Sequence, residues 1–106
     1  PDIPVIIYKR GEKFPDLDLR NAAYAGINEP EIKIAKKILF DDVKNFAQGL
    51  FALFRKLERE NFSCVIVELP EESSGIAEGL RDRILRSSSQ ELGVNMYNRR
   101  EIFISN

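Results

Sequence analysis

Histidine is absent from this chain and cysteine occurs once. The first absence removes the Ser-His and Cys-His pairs of nucleophilic catalysis, and with them the histidine-rich zinc and haem sites. With so little cysteine, no transition-metal centre of the usual kind can be assembled, so any metal would be a hard cation held by carboxylates. None is expected as a resident group. The lone Cys64 cannot close an internal disulfide. It lies in the apolar run Cys64-Val65-Ile66-Val67, reads as core filler, and fits a reducing, cytoplasmic setting. No apolar run approaches the ~20 residues of a membrane helix, and no signal-peptide pattern opens the chain, so a membrane partner is not expected. Neither a phosphate-binding loop nor a dinucleotide fingerprint is present, and no cofactor is expected. Charge of one sign is also missing. A net charge of −1 gives no global electrostatic footprint for nucleic acid or anionic lipid.

What is present describes an ordinary globule: 106 residues, 43% apolar and 31% charged. That length makes one domain, 1–106, complete or excised from a longer protein, and buries enough surface to fold without staples. The charge is uneven. Residues 41–72 hold seven acids and four bases, whereas residues 81–100 hold five arginines and two acids. Arg81, Arg83, Arg86, Arg99 and Arg100 therefore form a candidate partner-binding face for another protein or for nucleic acid; a solvated helix face is the simpler account.

Along the chain, Val5 to Tyr8 reads as a strand ended by charge and Gly11. Leu17 and Leu19 alternate within "FPDLDLR", which allows a short edge strand inside a long loop. "SCVIVEL" (63–69) is nearly all apolar, as in a strand covered on both faces. A helix over about 74–90 follows, with Ile76, Leu80 and Ile84 on one stripe. "VNMYNRREIFIS" alternates on either side of a polar turn and predicts two C-terminal strands. Strand-helix-strand units call for right-handed crossovers. The fold class expected is α/β: one small domain with a mixed, mainly parallel sheet of four or five strands and two principal helices. The order is strand, an optional strand, helix, strand, helix, strand, strand.

Residues 28–57 admit two readings. Ile32, Ala35, Leu39, Val43, Phe46, Leu50, Leu53 and Leu57 recur at helical spacing. Asn28 suits an N-cap, Pro30 the first turn, and Glu31 the return position of a capping box. This predicts one helix over 29–60. The rival breaks the segment: Ile32 and Ile34 alternate as in a strand, and Asp41 or Asp42 caps a helix beginning near Val43. An unbroken helix would be about 48 Å long, against a radius of gyration near ~13 Å for such a chain. Its overhang would need covering. The expectation is therefore a non-enzymatic regulatory or interaction module that homodimerises through Ile32, Leu39, Val43, Phe46 and Leu50 and binds a macromolecular partner.

Three chemistries compete with that reading. Pro15-Asp16 followed by Glu31-Ile32-Lys33 resembles the arrangement of the PD-(D/E)xK nucleases. The resemblance covers only those five residues. It implies that Asp16 and Glu31 would hold Mg²⁺ and that Lys33 would orient the attacking water. Pro1, as a true N-terminus, would offer a secondary amine as general base, in the manner of tautomerases that begin on a strand. Finally, "LPEESSG" sits outside a strand's carboxyl end and at a helix start, where open α/β sheets bind ligands. There Glu71 and Glu72 would repel a phosphate, and a plain serine-capped turn is the simpler reading.

Overall fold

The computed structural model describes residues 2–14 and 16–88. Among them the order is β1 (Val5–Tyr8), β2 (Ala22–Gly26), β3 (Lys36–Leu39), α1 (Val43–Arg59), β4 (Cys64–Glu68) and α2 (Gly75–Ser87). The strands form one sheet in the order β1-β4-β2-β3, and every neighbouring pair is parallel. The expected α/β class holds, as a four-strand parallel sheet with two helices. The C-terminal strands expected over 94–105 lie outside the described residues.

Alternation along each strand sorts the side chains onto two faces. Val5, Ala23, Ala25, Val65 and Val67 meet Phe46, Leu50, Phe54 and Leu57 of α1 and Leu80 and Ile84 of α2 in one cluster. Ala22, Tyr24, Cys64 and Ile66 point the other way. They are covered by Phe14, Leu17 and Leu19 from the β1–β2 connection and by Ile34 from the β2–β3 connection. Among the described residues neither of those connections contains a helix. One face is thus roofed by helices and the other by irregular chain.

The single helix over 29–60 does not form. Residues 36–39 are a strand instead, paired Ala23↔Lys36 through Gly26↔Leu39 with β2. Asp42, in extended conformation, caps α1 by accepting from the Asn45 amide at 2.8 Å. Asn28, the cap expected for the longer helix, is occupied elsewhere: its backbone and side-chain N–H groups both donate to Glu68. Local cap chemistry lost to sheet pairing, which satisfies the backbone of 36–39 against β2. Phe40 then stacks on Phe46, with ring centroids 5.2 Å apart. Its Cε1 lies 2.7 Å from where a β-carbon on Gly49 would stand. A glycine that weakens a helix by about 1 kcal/mol relative to alanine here lets the chain turn from β3 onto α1.

The dimer expectation loses its premise with that helix. The 17 residues of α1 span about 25 Å, and there is no long overhang to cover. Val43, Phe46 and Leu50 are buried within the chain's own core, while Ile32 and Leu39 lie off the helix and are exposed. Two side chains tie the ends of the fold. Glu58, near the end of α1, accepts from the Asp2 and Ile3 amides at 2.6 and 3.0 Å. Arg81 of α2 donates to the Pro70 and Glu72 carbonyls, both at 2.8 Å, and fixes the β4–α2 turn.

Candidate functional site

The alternation that makes the core also places Tyr8, Tyr24, Gly26 and Glu68 on the irregularly covered face, Tyr8, Gly26 and Glu68 as the last residues of their strands and Tyr24 two residues before the end of β2. Tyr8 and Glu68 are register partners on β1 and β4. From these two strands the chain departs in opposite directions. The β1–β2 connection covers one face and α2 packs on the other. Such a divergence opens a crevice at the carboxyl edge of a parallel sheet, the usual ligand position in open α/β folds. A cavity of about 250 Å³ occupies it, lined by Tyr8, Arg10, Glu12, Tyr24, Asn28, Glu31 and Glu68, with Gly11, Glu29 and Pro30 completing the wall.

Glu68 organises the floor. It is 3% exposed. Its Oε1 accepts from the Ile27 and Asn28 amides at 2.7 and 3.0 Å, and its Oε2 accepts from Asn28 Nδ2 at 2.7 Å. The carboxylate can curl back over β2 because residue 26 is glycine. A β-carbon there would lie 2.7 Å from Glu68 Cβ and Oε1 and 2.9 Å from Tyr24 Oη. Tyr24, 1% exposed, donates its phenol proton to the Asn28 carbonyl at 2.7 Å. Burial, and next the negative charge of Glu68, hold its pKa above the ordinary 10.0, with Tyr8 adding and Arg10 opposing. Tyr24 is therefore a proton-bearing wall at neutral pH and not a base. Beside it, Tyr8 packs on Phe14 with ring centroids 4.8 Å apart.

The nuclease residues are not gathered by this architecture. Glu31 lines the cavity at the carboxyl edge, Lys33 lines a separate surface groove with Leu19 and Ile34, and Asp16 lines neither. Glu31 and Lys33 precede β3 and do not share a strand. Among the described residues no three histidine, cysteine, aspartate or glutamate side chains converge to hold a metal. The described arginines of the basic segment are engaged within the chain. Arg81 holds the β4–α2 turn, Arg83 lies 4.0 Å over the Phe51 ring, and Arg86 pairs with Asp82 one turn back. Arg99, Arg100 and Pro1 lie outside the described residues. Ser74 caps α2, accepting from the Ala77 amide at 3.1 Å, so the "LPEESSG" turn carries the plain role. Cys64 is buried in the core, and burial pushes its thiol pKa up.

Sequence reasoning did not single out Tyr24 or Glu68, and read Asn28 only as a helix cap. The one available signal was Glu68 itself, an acid closing an otherwise apolar strand. Its partners Ile27 and Asn28, some 40 residues away just past the end of β2, could not be read from the chain.

Fold and crevice together define a small parallel α/β domain whose polar pocket lies at the carboxyl edge of its sheet. Residues 1–89 match the family described as the C-terminal domain of threonylcarbamoyl-AMP synthase, and the chain belongs to that family. Comparison with curated proteins and with solved structures found no match. The family corrects the functional expectation. It is a domain of an enzyme, which points to an enzyme-related function and overturns the reading of a non-enzymatic regulatory or interaction module.

Proposed function

We propose that this chain works as the accessory C-terminal domain of a threonylcarbamoyl-AMP synthase, contributing to that enzyme's reaction through the pocket at the carboxyl edge of its sheet. The observation that carries the reading is the extent of the family match. Residues 1–89 enclose all six elements and every residue of the pocket. The chemistry of the pocket supports a binding or shaping role over bond-making. Its two buried ionisable groups are committed to structure: Glu68 to three N–H donors, and Tyr24, proton retained, to a carbonyl. In this reading the reacting groups of the synthase lie in another part of the enzyme. A cytoplasmic site of action accords with the free, buried Cys64. Among the described residues no helix is long and apolar enough to cross a membrane.

The test compares the synthase that carries this domain with the same enzyme lacking residues 1–88, following threonylcarbamoyl-AMP formation. Loss of the domain is expected to depress the rate or raise the substrate requirement. Indistinguishable kinetics with both forms folded would overturn the role.

A further inference from the structure

The sheet has an open side at β3. The Phe40 amide donates to the Gly26 carbonyl at 2.8 Å. With Gly26↔Leu39 in register, the ladder turns the backbone groups of Lys36, Ile38 and Phe40 toward β2. Alternation then points those of Lys37 and Leu39 away from the sheet. Among the described residues no strand pairs with that side of β3. Such a row of outward N–H and C=O groups is a template for an added strand.

A groove of about 570 Å³ runs beside this edge on the loop-covered face. Lys37 reaches it because its register partner, Tyr24, points to the same face. Half-buried Leu19 and Ile34 and exposed Ala35 supply the apolar lining, and Arg20, Lys33 and Lys37 the polar one. No acid is among these six. Two of the cations have partners outside the groove: Lys37 meets Glu29 at 2.6 Å and Arg20 meets Asp18 at 2.8 Å. Both pairs are open to solvent and hold their charges weakly. Lys33 is exposed and enters none of the ion pairs among the described residues.

The charges choose the occupant. A second copy joining β3 to β3 would bring Lys36 and Lys37 near the same residues of its twin, and like charges across a ladder are destabilising. Lysines on a strand of four residues guard against that contact. A nucleic acid could meet the cations but has no amides and carbonyls in its backbone to extend the ladder. We propose that the β3 edge and its groove receive an extended, acidic peptide segment from outside this domain, added as a further strand. Its backbone pairs with Lys37 and Leu39, an apolar side chain lies over Leu19 and Ile34, and its carboxylates meet Lys33 and the neighbouring cations. The proposal goes beyond the synthase role and makes no use of the carboxyl-edge pocket.

The experiment titrates the 106-residue chain with an acetylated, amidated hexapeptide of alternating glutamate and valine, following backbone amide resonances by NMR. Matched hexapeptides of lysine and valine and of glutamate and serine, and a thymidine oligonucleotide, are the controls at one ionic strength. Saturable shifts centred on the Lys37 and Leu39 amides, produced by the glutamate–valine peptide alone, are expected. Lys33→Glu should weaken the apparent affinity about fivefold, as for loss of one exposed ion pair, with thermal unfolding unchanged. Leu39→Pro removes an outward N–H that β2 does not use, where an edge strand tolerates proline, and should abolish saturable binding. If that variant fails to fold, Lys33→Glu decides. A linear response, an equal response to any control, shifts centred away from β3, or full affinity in either folded variant would overturn the proposal.

Discussion

The two faces of the sheet are built on different principles. The helix-covered face is an interdigitated apolar layer, with Phe46, Leu50, Phe54 and Leu57 fully buried against Val65 and Val67. The other face has small or mixed residues in its strands and a roof of irregular chain, and its side chains turn polar toward the carboxyl edge: Tyr8, Tyr24 and Glu68. Since alternation forces each strand to serve both faces, stability and chemistry are separated by parity within a strand. Val67 packs the core, and the next residue, Glu68, builds the pocket. Helices roof one face with few constraints on its strands, whereas loops must be held by specific hydrogen bonds, which is the task of Glu68 and Tyr24.

That contrast can be broken or sharpened by substitution. The largest effect is expected on the helix-covered face. Phe54→Ala removes a ring 1% exposed that meets Phe51 edge-on at 5.2 Å, and should cost about 3–5 kcal/mol in denaturant unfolding. A loss below ~1.5 kcal/mol would mean that this face is not the main source of stability. Gly26→Ala comes next. Its new β-carbon, 2.7 Å from Glu68 Cβ, forces β2 and β4 to adjust, at about 1–3 kcal/mol. The amide resonances of Ile27 and Asn28 should move with it, while those of α1 stay in place. Resonance changes spread evenly over both faces would erase the distinction.

Tyr24→Phe should be the smallest, about 1 kcal/mol for one net hydrogen bond, but with a pH signature. The folded-state pKa of Tyr24 is raised, so its contribution is complete below pH 10.0 and declines as pH rises above that value, where the unfolded chain ionises first. Unfolding curves of the parent chain should weaken through that alkaline range, and those of Tyr24→Phe should weaken less. Identical slopes would show that Tyr24 is not shielded by the pocket.

Some of this was legible in the chain. Val5–Tyr8 reads directly as a strand, because β-branched residues run up to a charged, glycine-containing turn. Cys64–Glu68 reads as a doubly covered strand, because its first four residues are apolar. The periodicity of Val43, Phe46, Leu50 and Leu57 marks the buried stripe of α1, in which Phe54 is buried and the expected Leu53 only half-buried. By contrast, β2 is Ala-Ala-Tyr-Ala-Gly, a composition with little strand propensity of its own. It is a strand because it lies between β4 and β3, with partners on both sides. The four residues of β3 carried helical spacing into α1 and helix-cap signals before them, and took the extended form through pairing with β2.

By itself, the amino-acid order determined the class of fold, most of the apolar stripe of each helix (in α2 Ala77 is buried and the expected Ile76 exposed) and the absence of histidine chemistry, because composition and periodicity act over a few residues. Tertiary structure decided where the first helix begins and what Asn28 does. It also decided which acids surround a common cavity. Each of those outcomes turns on contacts between segments some 40 positions apart, such as Glu68 with Ile27 and Asn28, and a local pattern carries no information about which distant strand will arrive beside it.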